Sequence, residues 1–184
     1  MIIGVTGTDG GGKGAVVDYL VSNKGFVHCS ARALWIDEIQ KRNLEVSREN
    51  TRIVANSLRA EHGNDYFITE YLRRIKEVGW RDVVIESLRA VAEAETLKAN
   101  GGILLAVDAD QHIRYGRIQS RGSGLDKITF EKFTEQEALE MNDSDPHGMQ
   151  KAKVIAMADY TLQNNGTLEE LHAQIEEVLA KIKK

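Results

Sequence analysis

The chain is poor in the residues that staple, punctuate or anchor a protein. It has a single cysteine, Cys29, which excludes an intrachain disulfide and suits a reducing compartment. It has a single proline, Pro146, and it shows neither a linker nor an internal repeat nor a low-complexity tract. No apolar run approaches the roughly 20 residues that a helix needs to cross a bilayer. The N-terminus enters a strand directly, without a signal-peptide pattern, so a cytoplasmic protein with no membrane association is expected. Positive charge is not in excess either. Lysine and arginine number 24 against 28 acidic residues, for a net charge of -4, so no overall field steers the chain to nucleic acid. The five histidines, His28, His62, His112, His147 and His172, form no H-x-x-x-H pair and no Cys/His cluster, so no zinc site is expected.

What is present is an ordinary globular composition, 42% hydrophobic and 28% charged, over 184 residues. That length is expected to form one domain, residues 1–184, with a sizeable core. The most informative stretch is Gly7-Thr8-Asp9-Gly10-Gly11-Gly12-Lys13-Gly14, in the pattern G-x-x-x-x-G-K. It follows the apolar run Ile2 to Thr6 and precedes a helical segment from Lys13 to about Asn23. Strand, glycine loop and helix in that order cradle phosphate. The loop N–H groups turn inward, the free N–H groups of the helix start point the same way, and Lys13 reaches the outer phosphates. Gly7, Gly10, Gly11, Gly12, Lys13, Gly14 and Ala15 are therefore the expected contacts of a nucleotide polyphosphate. Such loops usually continue with Ser or Thr, whose hydroxyl ligates Mg²⁺. Here Gly14 and Ala15 follow, which leaves metal placement open.

The rest of the chain alternates strands and helices. Gly25 to Cys29 reads as a weak strand. Helices are expected over Ala31–Arg42, Ser47 to about Glu61, and from an Asn64 cap to about Val78. Val83-Val84-Ile85 and Ile103 to Val107 are continuous apolar runs, as in strands covered on both faces. Ala90–Asn100, Gln111 to about Arg121, and Thr129–Met141 read as helices. Tyr160-Thr161-Leu162 reads as a last strand. Thr167-Leu168-Glu169-Glu170 is a capping box for a final helix whose apolar face includes Leu168, Leu171, Ile175, Val178, Leu179 and Ile182. This order implies a three-layer α/β fold, a five-stranded parallel sheet with helices on both faces. Ligands then bind beyond the carboxyl ends of the strands.

Residues just after each strand are the candidates for chemistry. Arg114, Arg117 and Arg121 share a helix face, and Arg117 or Arg121 is the candidate to stabilise a transferred phosphoryl group. Glu86 ends a strand where a carboxylate could order Mg²⁺ or serve the acceptor. Arg32, Arg59 and Arg89 are candidates for an acceptor phosphate. Asp9 sits inside the loop, within reach of water, metal or the acceptor. Asp108 and Asp110 suit helix capping better than metal binding. Asn165, after the last strand, is a candidate to hold a base ring. Cys29 reads as a packing residue, and Trp35 and Trp80 as core.

These motifs carry a resemblance. Gly12-Lys13-Gly14 resembles the G-K-G-T loop of adenylate-kinase-like nucleotide kinases, with Ala15 at the threonine position. Val107-Asp108-Ala109-Asp110 with the arginines after it, Ala158-Asp159-Tyr160, and Asn165 to Leu171 look like dephospho-coenzyme A kinases and an archaeal group related to them. Val54 to Arg59 and Ile85 to Arg89 are similar to that archaeal group. The resemblance implies the P-loop NTPase fold, a helical acceptor-binding insertion over 42–78 and a short lid over 121–145. It implies ATP with Mg²⁺, Lys13 on the ATP phosphates, and Arg59, Glu86 and Arg89 facing the acceptor. The expected activity is phosphoryl transfer to a nucleoside monophosphate. The alternatives are dephospho-coenzyme A as acceptor, or a nucleotide-binding regulator that has lost turnover through Ala15. The oligomeric state stays open.

Overall fold

A computed structural model describes residues 1–120, 128–141 and 150–182. Five strands, β1 (Ile2–Gly7), β2 (Val27–Ser30), β3 (Val83–Glu86), β4 (Ile103–Asp108) and β5 (Tyr160–Gln163), form one sheet. Its order is β2-β3-β1-β4-β5, and every pairing is parallel. Nine helices lie among the described residues: α1 (Lys13–Lys24), α2 (Ala31–Lys41), α3 (Arg48–His62), α4 (Tyr66–Val78), α5 (Val91–Ala99), α6 (Gln111–Ser120), α7 (Phe130–Met141), α8 (Lys151–Ala156) and α9 (Leu168–Ile182).

Side chains alternate across a strand, so an apolar run buried on both faces feeds two cores. Val83 and Ile85 of β3 and Leu104 of β4 face the layer of α2, α3, α4, α5 and α8. Val84, Leu105 and Val107 face the layer of α1 and α9, together with Ile3 and Val5 of β1. Each of these side chains contributes about 1.5–3 kcal/mol through burial. Gly4 completes the pattern on the opposite face of β1. A Cβ there would sit 2.3 Å from Leu97 Cδ2, so glycine lets α5 pack close to the central strand.

The elements match the sequence pattern closely, and the differences have local reasons. Asp65, not Asn64, precedes α4, and its carboxylate accepts from Thr96 Oγ1 at 2.6 Å. Leu168, expected on the apolar face of α9, is 55% exposed. It is the first helical residue, ahead of the turn whose Leu171 meets the sheet. α8 has no counterpart in the sequence reading, because six residues are too few to show a period. Trp35 and Cys29 are buried, and Trp80 packs partly buried against the same core. The expected lid, 121–145, is described only over 128–141, where α7 lies. Arg121 lies outside the described residues.

The strand order reverses at β1, which sits between β3 and β4. Parallel sheets open a crevice at such a point, beyond the carboxyl ends of the strands. The loop after β1, the turn after β3 and the entry to α6 therefore converge there.

Candidate active site

The loop after β1 is shaped by contacts that only glycine admits. Gly7 has φ 133°, and a Cβ there would lie 2.0 Å from the Val107 carbonyl oxygen. Gly12 has φ 107°, and a Cβ there would lie 2.1 Å from Asn164 Nδ2. These bring the loop hard against β4 and the residue after β5. Gly14 differs, because a Cβ there would meet nothing within 4 Å. It faces open space at the first turn of α1. That helix has no side-chain cap and no acidic residue in its first turn, so its free N–H groups are available to an anion.

Lys13 is curled into its own loop. Its Nζ donates to the carbonyls of Gly7 (3.0 Å) and Thr8 (2.7 Å) and lies 3.5 Å from Asp9 Oδ1. Burial pulls its pKa down to about 8; Asp9 opposes the shift, while Lys151 and Arg89 add to it. Burial pushes the Asp9 carboxyl up. The hydrogen bond and charge of Lys151, with Lys13 and Arg89, outweigh that and hold it well below the usual carboxylate range. Lys151 Nζ lies 2.8 Å from Asp9 Oδ2 and also donates to Glu140 of α7.

A cavity of about 540 Å³ opens over this loop, lined by Asp9, Gly10, Gly12, Lys13 and Gly14 and by Glu86, Ser87 and Arg89. Ser87 is one of two described non-glycine residues with positive φ, at 67°. Its N–H donates to Val5 O at 2.9 Å, and the tight turn presents Glu86 and Arg89 to two cavities at once. The second, of about 260 Å³, is lined by Arg32, Arg59, Glu86 and Arg89, with Trp35 and Glu93. All four expected acceptor residues thus border one space. Glu86 Oε1 is 3.3 Å from His28 Nε2. The Arg59 guanidinium lies 5.4 Å from the Trp35 ring centre. A further cavity of about 530 Å³ extends past Arg32, Trp35 and Arg59 to Val46, Ser47, Thr51 and Asn56 on the α2–α3 side.

On the other side of the loop, a cavity of about 370 Å³ is lined by Gly12, Gly14, Ala15, Arg117, Ser120, Asn164, Gly166 and Leu168. Asn164, rather than Asn165, meets the loop. It is 5% exposed, and its Nδ2 donates to Gly11 O at 2.9 Å. Asn165 is exposed, and its Oδ1 accepts from Asp110 N at 2.7 Å. Arg117 Nη2 donates to Asn164 O at 2.9 Å, while its Nη1 is buried without a protein partner. A buried donor left over beside a cavity fits a ligand oxygen or ring nitrogen. Arg114 is committed elsewhere. It is 6% exposed and binds Glu137 of α7, Ala109 O (2.8 Å) and Asp9 O (3.3 Å). Asp110 Oδ1 accepts from His112 N (2.9 Å) in the first turn of α6, as a capping residue does, whereas Asp108 Oδ1 accepts from the Thr8 hydroxyl (2.7 Å) and so ties the glycine loop to the end of β4.

The residues fit a polyphosphate: open N–H groups, a glycine facing empty space, and Lys13 and Arg89 on the wall. For a metal the protein's own donors are sparse. Ala15 has no side-chain oxygen, and no group of three or more acidic, His or Cys side chains among the described residues is arranged to hold an ion. A Mg²⁺ ion here would draw on phosphate oxygens, and Asp9, Glu86, Glu137 and Glu140 are the carboxylates that line the cavity.

The sequence reading missed Lys151 and Glu137, and from the turn Asn164-Asn165-Gly166 it chose Asn165. Lys151 gave no local signal, because its burial beside Val154 shows only once α8 is in place. Asn164 was visible as a residue of the turn after β5, but nothing local separates it from Asn165.

A parallel sheet in this order, with a glycine loop and lysine between β1 and α1, defines the P-loop fold of the kinase type. The chain belongs to the AAA domain family, whose model matches residues 3–144, and to the UPF0200 proteins. It is 32% identical to a UPF0200 protein of Thermococcus kodakarensis, over 99% of this chain and 98% of that one. It is 27% identical to one of Methanocaldococcus jannaschii, over 99% and 90%. Among solved structures, shikimate kinase from Bacteroides thetaiotaomicron superposes with a TM-score of 0.58 at 16% identity, covering 98% of both chains. That likeness concerns the fold. Among the described residues no helix is long and apolar enough to cross a membrane.

Proposed function

We propose that the protein transfers the γ-phosphoryl group of ATP to a small acceptor that itself carries a phosphate on a flat, partly apolar body, with a nucleoside monophosphate as the best fit. One observation carries this reading. Arg32, Arg59 and Arg89 border a single cavity with Trp35, and Glu86, Ser87 and Arg89 also border the cavity over the phosphate loop. Guanidinium groups match phosphate oxygens in pairs, and the buried Trp35, whose ring lies under Arg59, gives the cavity an apolar side. The geometry supports a phosphate held by the arginines, its body lying toward Trp35 and its free oxygens toward Lys13.

The chemistry agrees with that acceptor. Phosphoryl transfer needs positioning and positive charge more than covalent help. A phosphate acceptor is already ionised at neutral pH and needs no base. A hydroxyl acceptor, as in dephospho-coenzyme A, needs one. Asp9 is the loop carboxylate, and its hold by Lys151 and Lys13 makes it a weak proton acceptor. In this reading Lys13 and the α1 N–H groups hold the ATP phosphates. Arg117 and Asn164 border the space for the adenosine end. Arg121 remains a candidate for charge stabilisation. Mg²⁺, carried with ATP, would screen the phosphate charge, with Glu86 placed to order it.

A second reading, a nucleotide-binding regulator without turnover, draws on Ala15. Incubation with labelled ATP, Mg²⁺, a panel of nucleoside monophosphates and dephospho-coenzyme A decides between them. The expected result is label on a monophosphate, lost in Lys13→Ala. Label on dephospho-coenzyme A alone would move the acceptor assignment. Lys13-dependent ATP binding with no transfer would favour the regulator.

A further inference from the structure

Lys151 lies outside the cavity over the phosphate loop, yet both carboxylates it holds, Asp9 and Glu140, line that cavity. It is a lysine only 4% exposed, fixed from two directions. Gln150 N donates to Arg89 O at 3.0 Å, which pins the start of α8 to the turn after β3. Three residues on, Val154 is fully buried in the core beneath α2–α5. The Lys151 ammonium therefore has a set position rather than a solvent-averaged one.

Asp9 stands between two ammonium groups. Its Oδ2 is 2.8 Å from Lys151 Nζ, and its Oδ1 is 3.5 Å from Lys13 Nζ. The nearer lysine takes the closer hydrogen bond. We propose that Lys151 is a positioning residue of the phosphate site: it engages Asp9, so that the Lys13 ammonium, resting on the Gly7 and Thr8 carbonyls, is not also closed onto a carboxylate when the outer phosphates of ATP arrive. The inference rests on the kinase reading above and adds a residue to it.

The physical reason is competition. In a partly dry site a carboxylate 3.5 Å from an ammonium is a strong rival for any incoming anion. Without Lys151, Asp9 is free to turn onto Lys13 and close the pair. Asp9 and Glu140 would then also face the polyphosphate as uncompensated negative charges. With Lys151 in place, the charge of Asp9 is answered from behind, and the cavity wall presents Lys13 and Arg89 to the ligand.

Calorimetric titration with ATP and Mg²⁺ tests this on the full chain, in the wild type, K13A, K151M, K151R, D9N and the K151M/D9N pair, with thermal melting of each as a folding control. K151M is expected to weaken ATP binding about tenfold, within the range of coupling between contacting residues. K151R keeps the charge and should stay within about threefold of the wild type. D9N added to K151M removes the rival carboxylate, so ATP affinity should return to within about threefold of D9N alone. A merely structural lysine would behave otherwise: D9N would restore nothing, and that result overturns the inference while leaving the kinase reading intact. Unchanged ATP affinity in a folded K151M overturns it as well. Absence of any Lys13-dependent ATP binding in the wild type would overturn both.

Discussion

Gly14 separates binding from folding more cleanly than any other loop position. A methyl group there meets nothing, and its φ is not in the left-handed region. Alanine is also the better helix former, by up to about 1 kcal/mol in a helix interior. Gly14→Ala is therefore expected to leave the melting temperature unchanged or slightly higher. It should weaken ATP binding, because Gly14 borders both the cavity with Lys13 and the one with Arg117. Calorimetry and a thermal melt on the same sample check both halves. Gly12→Ala, by contrast, collides with Asn164 and would lower stability and binding together, so it could not make the distinction. The loop was legible in the sequence because its chemistry lies in adjacent residues. The partner that shapes Gly12 was not, because Asn164 follows the chain's last strand and its identity as a partner depends on where β5 lands.

Among the elements, α9 shows how far local signals reach. Thr167 Oγ1 accepts from Glu170 N at 3.3 Å, and Glu170 Oε2 accepts from Thr167 N at 3.0 Å, the reciprocal box that the sequence announces. Thr167→Ala should cost about 1 kcal/mol in a urea titration and leave nucleotide binding near wild type, since the box faces solvent. The same logic located β3 and β4, whose unbroken apolar runs admit no amphipathic reading. It failed for α8, which is too short for a period. It also stopped short at α7. The charged pattern of that helix does not reveal that Glu137 neutralises the buried Arg114 of α6 and so helps anchor α7 beside the phosphate loop.

Across the folded protein, stability should narrow at both ends of the pH scale. Hydrogen bonds from Arg73, and then Arg74, hold the Glu70 carboxyl down at about 2, against an ordinary value of 4.5. The unfolded chain takes up that proton first as pH falls. Its contribution is therefore complete above about 4.5 and is lost on the way to 2. Asp9 acts in the same direction, and Glu93, pushed up by burial, opposes them. At the alkaline end burial pushes Cys29 up to about 12, from an ordinary 9.0. The unfolded thiol ionises first as pH rises, so Cys29 costs stability from about 9 upward; Tyr71 adds to this, and Lys13, held down at about 8 by burial, opposes it in part. Urea midpoints between pH 2 and pH 11 should trace a plateau with two descending limbs. Glu70→Gln should flatten the acid limb and Cys29→Ala the alkaline one; unchanged limbs in these variants would reject the assignments.

The division between chain and fold is then a matter of sequence distance. Residues within a few positions of one another determined the phosphate loop, the buried strands, the helix caps and the α/β class, because backbone geometry and hydrophobic period act locally. Tertiary structure alone decided the meetings: Arg32, Arg59, Glu86 and Arg89 around one cavity, Lys151 behind Asp9 across 142 positions, and Asn164 against Gly11 across 153. Those contacts depend on the strand order β2-β3-β1-β4-β5, which no local pattern encodes. Right-handed crossovers and burial of both sheet faces set that order, and with it the distance from each strand end to the glycine loop.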